Sequence, residues 1–434
     1  MKKPFLTIKD FQSILAIFLL VAVLTVGLLA VNWRLASQYG AGADFLPAWN
    51  GARAFIFEQS YDPYSRTIAE QTQLEVYGRA AREGEFPYAL DIPFPLLLLY
   101  FSPLYLIQVL QLIFPSAAVP DPIWMRAVWM TASEFGLLLL ATYALRLTDW
   151  RPNRPFTLLL LAFSLAWYYS LVAIADGSFS ILLTVALLGA LFAMRDFHDE
   201  VAGFLLAISA MKWEATLLLW LFIVIGAISA RRWRVFSGMA MTWFVLGAVA
   251  FLVYPDWVWP YLRAVTANLR ADVMLTPALF LNRWIPDYGA RIATIVVPLL
   301  LLLLVVESFS AYRSRDFRRV AWAAALTVAI TPLLGFSTTL ANLAPLVFSF
   351  AVILPFAWER WEKHPYIILS LLTVLFFAFP FVLRWPSVAA NPSSIGLAFL
   401  LPSIIIILGL YWIRWYVVRP PRTWLDAVKR EIRK

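Results

Sequence analysis

The stretch "YGAGADFLPAWNGARAF", residues 39–55, follows the first long apolar run and carries one acid, Asp44. A carboxylate at that point can take the proton of an attacking hydroxyl that comes within about 3 Å. Its competing role is to cap the helix that Pro47 opens. A second charged point lies in "AISAMKWEATLLL", where Lys212 and Glu214 interrupt apolar sequence. Charges held at membrane depth are costly and mark function, unless the two only cap a short hairpin at the surface. Arg53, Arg263, Arg270 and Arg283 are expected on the same side. An arginine or lysine facing a lipid cleft can hold a phosphate by charge-assisted hydrogen bonds; a single interfacial arginine more often snorkels to lipid headgroups. Arg283 and Lys212 stand out because their neighbours are apolar.

Other chemistries lack their residues. The chain has no cysteine and two histidines, His198 and His364, so neither a thiolate nor a histidine metal site is expected. There is no Asp-x-Asp motif and no phosphate-binding glycine loop; Gly177 stands alone. Nucleotide-driven chemistry is therefore not expected. Glu134 and Glu307 are the clearest acids inside apolar runs, few for a proton-coupled transporter.

The elements that must carry these residues are membrane spans. The chain has 434 residues, 62% hydrophobic and 14% charged, with a net charge of +9. Apolar runs of spanning length recur throughout, which predicts a polytopic membrane protein. The excess positive charge then belongs to cytoplasmic loops, not to nucleic-acid binding. With every basic cluster on one side, about twelve spans fit, near 14–33, 123–146, 155–175, 178–195, 199–211, 214–230, 235–254, 291–309, 320–335, 342–357, 365–383 and 395–417. Both termini are then cytoplasmic, including the basic tail 419–434, and two long external loops remain, 34–122 and 255–290. The apolar stretch 93–114 contains Pro93, Pro95 and Pro103, and reads as an interfacial helix rather than a span. In the first loop, Trp49, Ala52, Phe55 and Ile56 predict an amphipathic helix resting on the membrane. Thr67 and Glu70 form a capping box for a helix over 68–82.

This layout resembles the GT-C superfamily of membrane glycosyltransferases, and most closely glycosyltransferase family 87, the polyprenol-phosphate-mannose-dependent mannosyltransferases of bacterial envelopes. The matching pieces are "ADFLPAWNGARAF", "SYDPY", "DIPFPLLLLYFSPLYLI", "DGSFS" at Asp176, "SAMKWEATLLL", "LFLNRW" with Asn282 and Arg283, and "ITPLLGFSTTLANLAPL". The family's glycine-glutamine element is here Gly177-Ser178-Phe179-Ser180, and its late histidine-rich stretch has no histidine here.

The resemblance implies one GT-C-like all-α membrane domain over 1–434, in the inner membrane of a prokaryote. It implies an inverting hexosyltransferase, with mannose as the sugar and a polyprenyl-phosphate sugar as donor. The acceptor would be a lipid or glycan at the outer face. Asp44 would be the catalytic base, with Lys212, Arg283 and Arg270 on the donor phosphate. Arg53, Asn282, Glu214 and Asp176 are further candidates. Cations suffice for a monophosphate leaving group, so neither metal nor cofactor is implied. Two other classes remain open: an inactive GT-C scaffold serving as a membrane-complex subunit, and a transporter of polyprenyl phosphate or other lipid.

Overall fold

A computed structural model describes residues 8–38, 42–58, 62–113, 121–271, 274–314, 316–361, 364–389, 391 and 393–418. The basic tail 419–434 lies outside the described residues, as does part of the "SYDPY" turn. The described chain is helical. It begins with α1 (Ile8–Gln38), α2 (Leu46–Phe57), α3 (Arg66–Tyr77), α4 (Phe94–Tyr100), α5 (Ser102–Ile113) and α6 (Pro122–Leu147). Next come α7 (Arg154–Ala166), α8 (Tyr168–Asp176), α9 (Ser180–Arg195), α10 (Asp199–Ile208), α11 (Trp213–Ser229) and α12 (Trp233–Val253). The rest is α13 (Val258–Leu269), α14 (Pro277–Trp284), α15 (Gly289–Ser314), α16 (Phe317–Ile330), α17 (Leu346–Arg360), α18 (Pro365–Leu383), α19 (Pro386–Ala389) and α20 (Ser393–Val418).

Among the described residues, eight helices are long and apolar enough to cross a membrane. The α7–α8 pair, bent by 48° at Trp167, makes a ninth where the two are counted as one span. The segments expected at 178–195, 199–211 and 214–230 are helices of 16, 10 and 17 residues, shorter than these eight, so a count of twelve goes beyond the long helices. Charge and apolar runs locate helices well but do not measure their crossing length.

The helices sort by burial. The span 340–360 is 94% buried, and 317–334 is 78% buried. Helices this apolar on every face belong at a bundle centre. The windows in α1 and α12 are 6% and 11% buried, so these helices form the periphery. The basic turns gather at one end: Arg195 pairs with Asp149 at 3.1 Å, Arg232 with Asp199 at 3.0 Å and Arg318 with Glu359 at 2.6 Å.

The first loop is packed, not laid on a lipid surface. Pro47 to Ala52, Ala54 and Ile56 of α2 are buried. They join Phe94, Leu96, Phe101 and Leu104 in a core shared with Phe179, Leu183 and Met211. The helical spacing marks an apolar face correctly, but protein covers it. The stretch 93–114 breaks at Phe101 into α4 and α5. The capping box is also corrected: Ser65 precedes α3, and Gly78, in the left-handed region, ends it at Tyr77.

Candidate active site

Asp44 is placed by backbone. Gly42 O accepts from the N–H groups of Phe45 and Leu46, and Asp176 O accepts from those of Asp44 and Phe45, both at 3.2 Å. Phe45 is buried against Trp49, Phe101 and Trp129. The close approach needs Gly177. It ends α8 at φ +66, and a Cβ there would lie 2.7 Å from Phe45 Cβ. Only glycine meets both conditions cheaply. Asp44 does not cap α2: the N-cap position is Phe45, and no side-chain cap bond forms.

The carboxylate turns instead to Lys212, with Oδ1 2.8 Å from Nζ. Lys212 also meets Glu214 at 3.5 Å. Lys212 lies just before α11 with φ 53 and ψ 56, a left-handed conformation that a residue with a side chain adopts at some cost. Its carbonyl accepts from Ala215 N and Thr216 Oγ1, which fixes the turn. Glu214, in the first turn of α11, suits the positive end of the helix dipole. Burial opposes the charge of Lys212, but Asp44, Glu214 and Asp91 outweigh it and hold the ammonium above its ordinary pKa.

Asp91 is the residue that sequence reasoning missed. It is exposed at the surface, and its carboxyl lies within electrostatic range of Lys212 and Asp44. Burial pushes its pKa up, with Lys212 opposing and Asp44 adding to the rise. The second external segment helps to hold it. Asn268 of α13 donates to Ala89 O at 2.8 Å and accepts from Ala89 N at 3.2 Å, and Tyr64 donates to Ile92 O at 2.7 Å. Tyr88, also left-handed at φ 49, lies within electrostatic range of Asp44 and Asp176. Its ring packs against Tyr77 and Phe86. Two positive-φ side-chain residues near Asp44 are the strain expected where geometry serves chemistry, and no sequence signal marks them.

Asp176 belongs to the same cluster. It lies within electrostatic range of Asp44, Lys212 and Arg126, and Thr339 donates to its Oδ2 at 3.4 Å. Thr339 comes from the irregular segment between α16 and α17, where the resemblance had led to histidines.

The arginines divide differently from the expectation. Arg53 pairs with Glu58 at 3.0 Å, at the far end of α2 from Asp44. Arg270, Asn282 and Arg283 are exposed. Arg283 ends α14, whose apolar face packs on α15 and α20, so its apolar neighbours do not bury it. None of these arginines is among the groups that act most strongly on Lys212, Asp91 or Glu214.

At this site the Lys212 ammonium contacts Asp44 and Glu214, with Asp91 and Asp176 within electrostatic range. Asp44 Oδ2 is buried and has no hydrogen-bond partner among the described residues. No cluster of three or more potential metal ligands occurs among the described residues. Comparison with family models, with curated proteins and with solved structures returned no match.

Proposed function

We propose that this chain is a membrane glycosyltransferase that moves a hexose from a polyprenyl-phosphate donor to a lipid or glycan hydroxyl. The observation that carries the reading is the pairing of Asp44 with Lys212, with one oxygen of Asp44 left unpartnered. The sequence resemblance to family 87 falls on the same two residues and suggests mannose.

The chemistry follows from the two side chains. The acceptor hydroxyl gives its proton to Asp44 Oδ2 as its oxygen attacks the anomeric carbon. The bond from that carbon to the phosphate oxygen breaks, and the electron pair leaves with the phosphate. Lys212 reaches from Oδ1 toward the phosphate and stabilises the departing charge. Attack opposite the leaving group inverts the anomeric centre. Asp91 offers a hydrogen-bonding carboxylate to a sugar ring. The positive-inside rule puts the basic end in the cytoplasm and the Asp44–Lys212 pair outside.

The test is transfer of mannose from a short-chain polyprenyl-phosphate mannose to an acceptor-lipid extract by the purified chain. Transfer that depends on Asp44 supports the reading. Absence of transfer with this and other lipid-phosphate sugars favours the inactive scaffold or the lipid transporter.

A further inference from the structure

Helix α13 carries two different faces. Tyr261, Ala264 and Asn268, at three- and four-residue spacing, turn toward the first loop. Ala264 and Asn268 are buried, the Tyr261 ring meets that of Tyr64 at 5.9 Å, and Asn268 bonds both the amide and the carbonyl of Ala89. The other face is bare. Trp259, Leu262 and Leu269 are 72%, 43% and 55% exposed, and Arg263, Thr266 and Arg270 stand open among them. Single exposed apolar residues are ordinary, but three large ones on one side of a twelve-residue helix mark a contact surface.

The bare face is graded. Leu262, Thr266 and Leu269 form one stripe, and Arg263, Ala267 and Arg270 form the next, one position on. The second stripe borders water: Arg263 and Ala267 line a polar groove of about 590 Å³ with Asp62, Glu70 and Arg82. Leu262 and Leu269 take no part in that groove. Their stripe continues the apolar surface of α12, whose last residues Phe251, Leu252 and Val253 are exposed, and whose Phe251 ring meets that of Trp257 at 5.8 Å. α12 starts beside the basic turn at Arg232 and is peripheral, so α13 stands where a lipid-facing span reaches its opposite end. An apolar stripe beside a cationic one, with a tryptophan between them, is the pattern of a helix lying in a membrane interface. The stretch 258–270 contains no acid, so the complement to its cations is negative.

We infer that α13 is an interfacial helix that rests on anionic phospholipid headgroups and thereby fixes the loop carrying Asp91. Leu262 and Leu269 enter the acyl boundary, Trp259 sits at headgroup level, and Arg263 and Arg270 take lipid phosphates by charge-assisted hydrogen bonds. The two arginines are about 10 Å apart along the helix, enough for separate headgroups. The opposite face carries the effect inward, because Asn268 holds Ala89, two residues before Asp91. Lipid that pins α13 therefore reduces the freedom of the 87–91 segment. The inference goes beyond the transferase reading and needs no sugar transfer for its test.

The chain has no cysteine, so single spin labels can be placed through Leu262→Cys, Leu269→Cys and Ala267→Cys in the full chain in nanodiscs. Labels at 262 and 269 should collide with dissolved oxygen more than with a water-soluble nickel chelate, and the label at 267 should do the reverse. Nickel preference at 262 and 269 overturns the inference, as does shielding from both reagents, which would mean that protein or a second copy covers the face. The second readout is amide hydrogen exchange at Ala89 in phosphatidylcholine nanodiscs with and without phosphatidylglycerol. Phosphatidylglycerol should slow this exchange about tenfold in the wild type, each arginine contributing a several-fold share. The double variant Arg263→Gln with Arg270→Gln should exchange at the same rate in both lipids. Asn268→Ala should lose the lipid response while labels on α13 keep their depth. Absence of slowing in the wild type, or a wild-type response in the arginine double variant or in Asn268→Ala, overturns the inference.

Discussion

Asp44 Oδ1 lies 2.8 Å from Lys212 Nζ, and the two residues reach each other from opposite parts of the fold. One stands on the turn before α2, the other on the strained turn before α11. Glu214 lies 3.5 Å from the same ammonium, and Asp91 and Asp176 lie within its electrostatic range. Lys212 is the cation that pairs with both Asp44 and Glu214, and its removal leaves those two carboxylates uncompensated.

Lys212→Met should destabilise the chain by about 3–5 kcal/mol, as for a buried pair that loses one partner. Lys212→Arg should lose less. Thermal unfolding in detergent checks this. The double variant Lys212→Met with Asp44→Asn should be closer to wild type than the two single losses added, because the carboxylate left uncompensated is gone. Simple additivity would show that the two side chains are not coupled.

Gly177→Ala should cost about 1–2 kcal/mol from its left-handed backbone alone. Its new Cβ also meets Phe45 Cβ at 2.7 Å, which pushes the Asp44 turn off the Asp176 carbonyl. Transfer should fall further than stability does. A variant of normal activity would mean that the Asp44 turn tolerates displacement.

The pH dependence of stability should carry a signature of Asp91. Burial raises its pKa in the folded state, so the folded chain holds that proton more tightly than the unfolded one. The stabilising contribution is complete below the unfolded value of about 3.9 and is lost as pH rises through the raised folded value. Asp91→Asn should therefore gain on the wild type as pH rises from about 4 to 8. Unfolding temperatures across that range give the test. A gap that stays constant with pH would contradict the placement of Asp91.

Arg283→Ala should leave transfer within about twofold of wild type, since Arg283 is exposed and is not among the groups that act most strongly on Lys212, Asp91 or Glu214. A loss of about a hundredfold would return the phosphate to α14.

The sequence made some of this site legible for a physical reason. Asp44, Lys212 and Glu214 are charges set in apolar surroundings, and such charges need partners wherever the chain folds. The partnership itself was not legible, because it depends on how loops close. Asp91 lies in a proline-rich loop where an acid is ordinary, and its holder, Asn268, comes from the other external segment. Arg126, which is buried and bonds the carbonyl of Ala175, carries no signal in the sequence. The α2 helix showed its apolar face by spacing, but spacing does not say whether lipid or protein will cover it. The count of twelve exceeds the eight long helices at α9, α10 and α11, where apolar composition continues through helices of 16, 10 and 17 residues.

The most direct measurement compares wild type with Asp44→Asn in transfer from polyprenyl-phosphate mannose, with folding checked by thermal unfolding. The proposed mechanism predicts a folded variant whose transfer falls by about 10²–10⁴-fold, the range for loss of a general base. Transfer by the variant at the wild-type rate would contradict the role of Asp44 and with it the central claim.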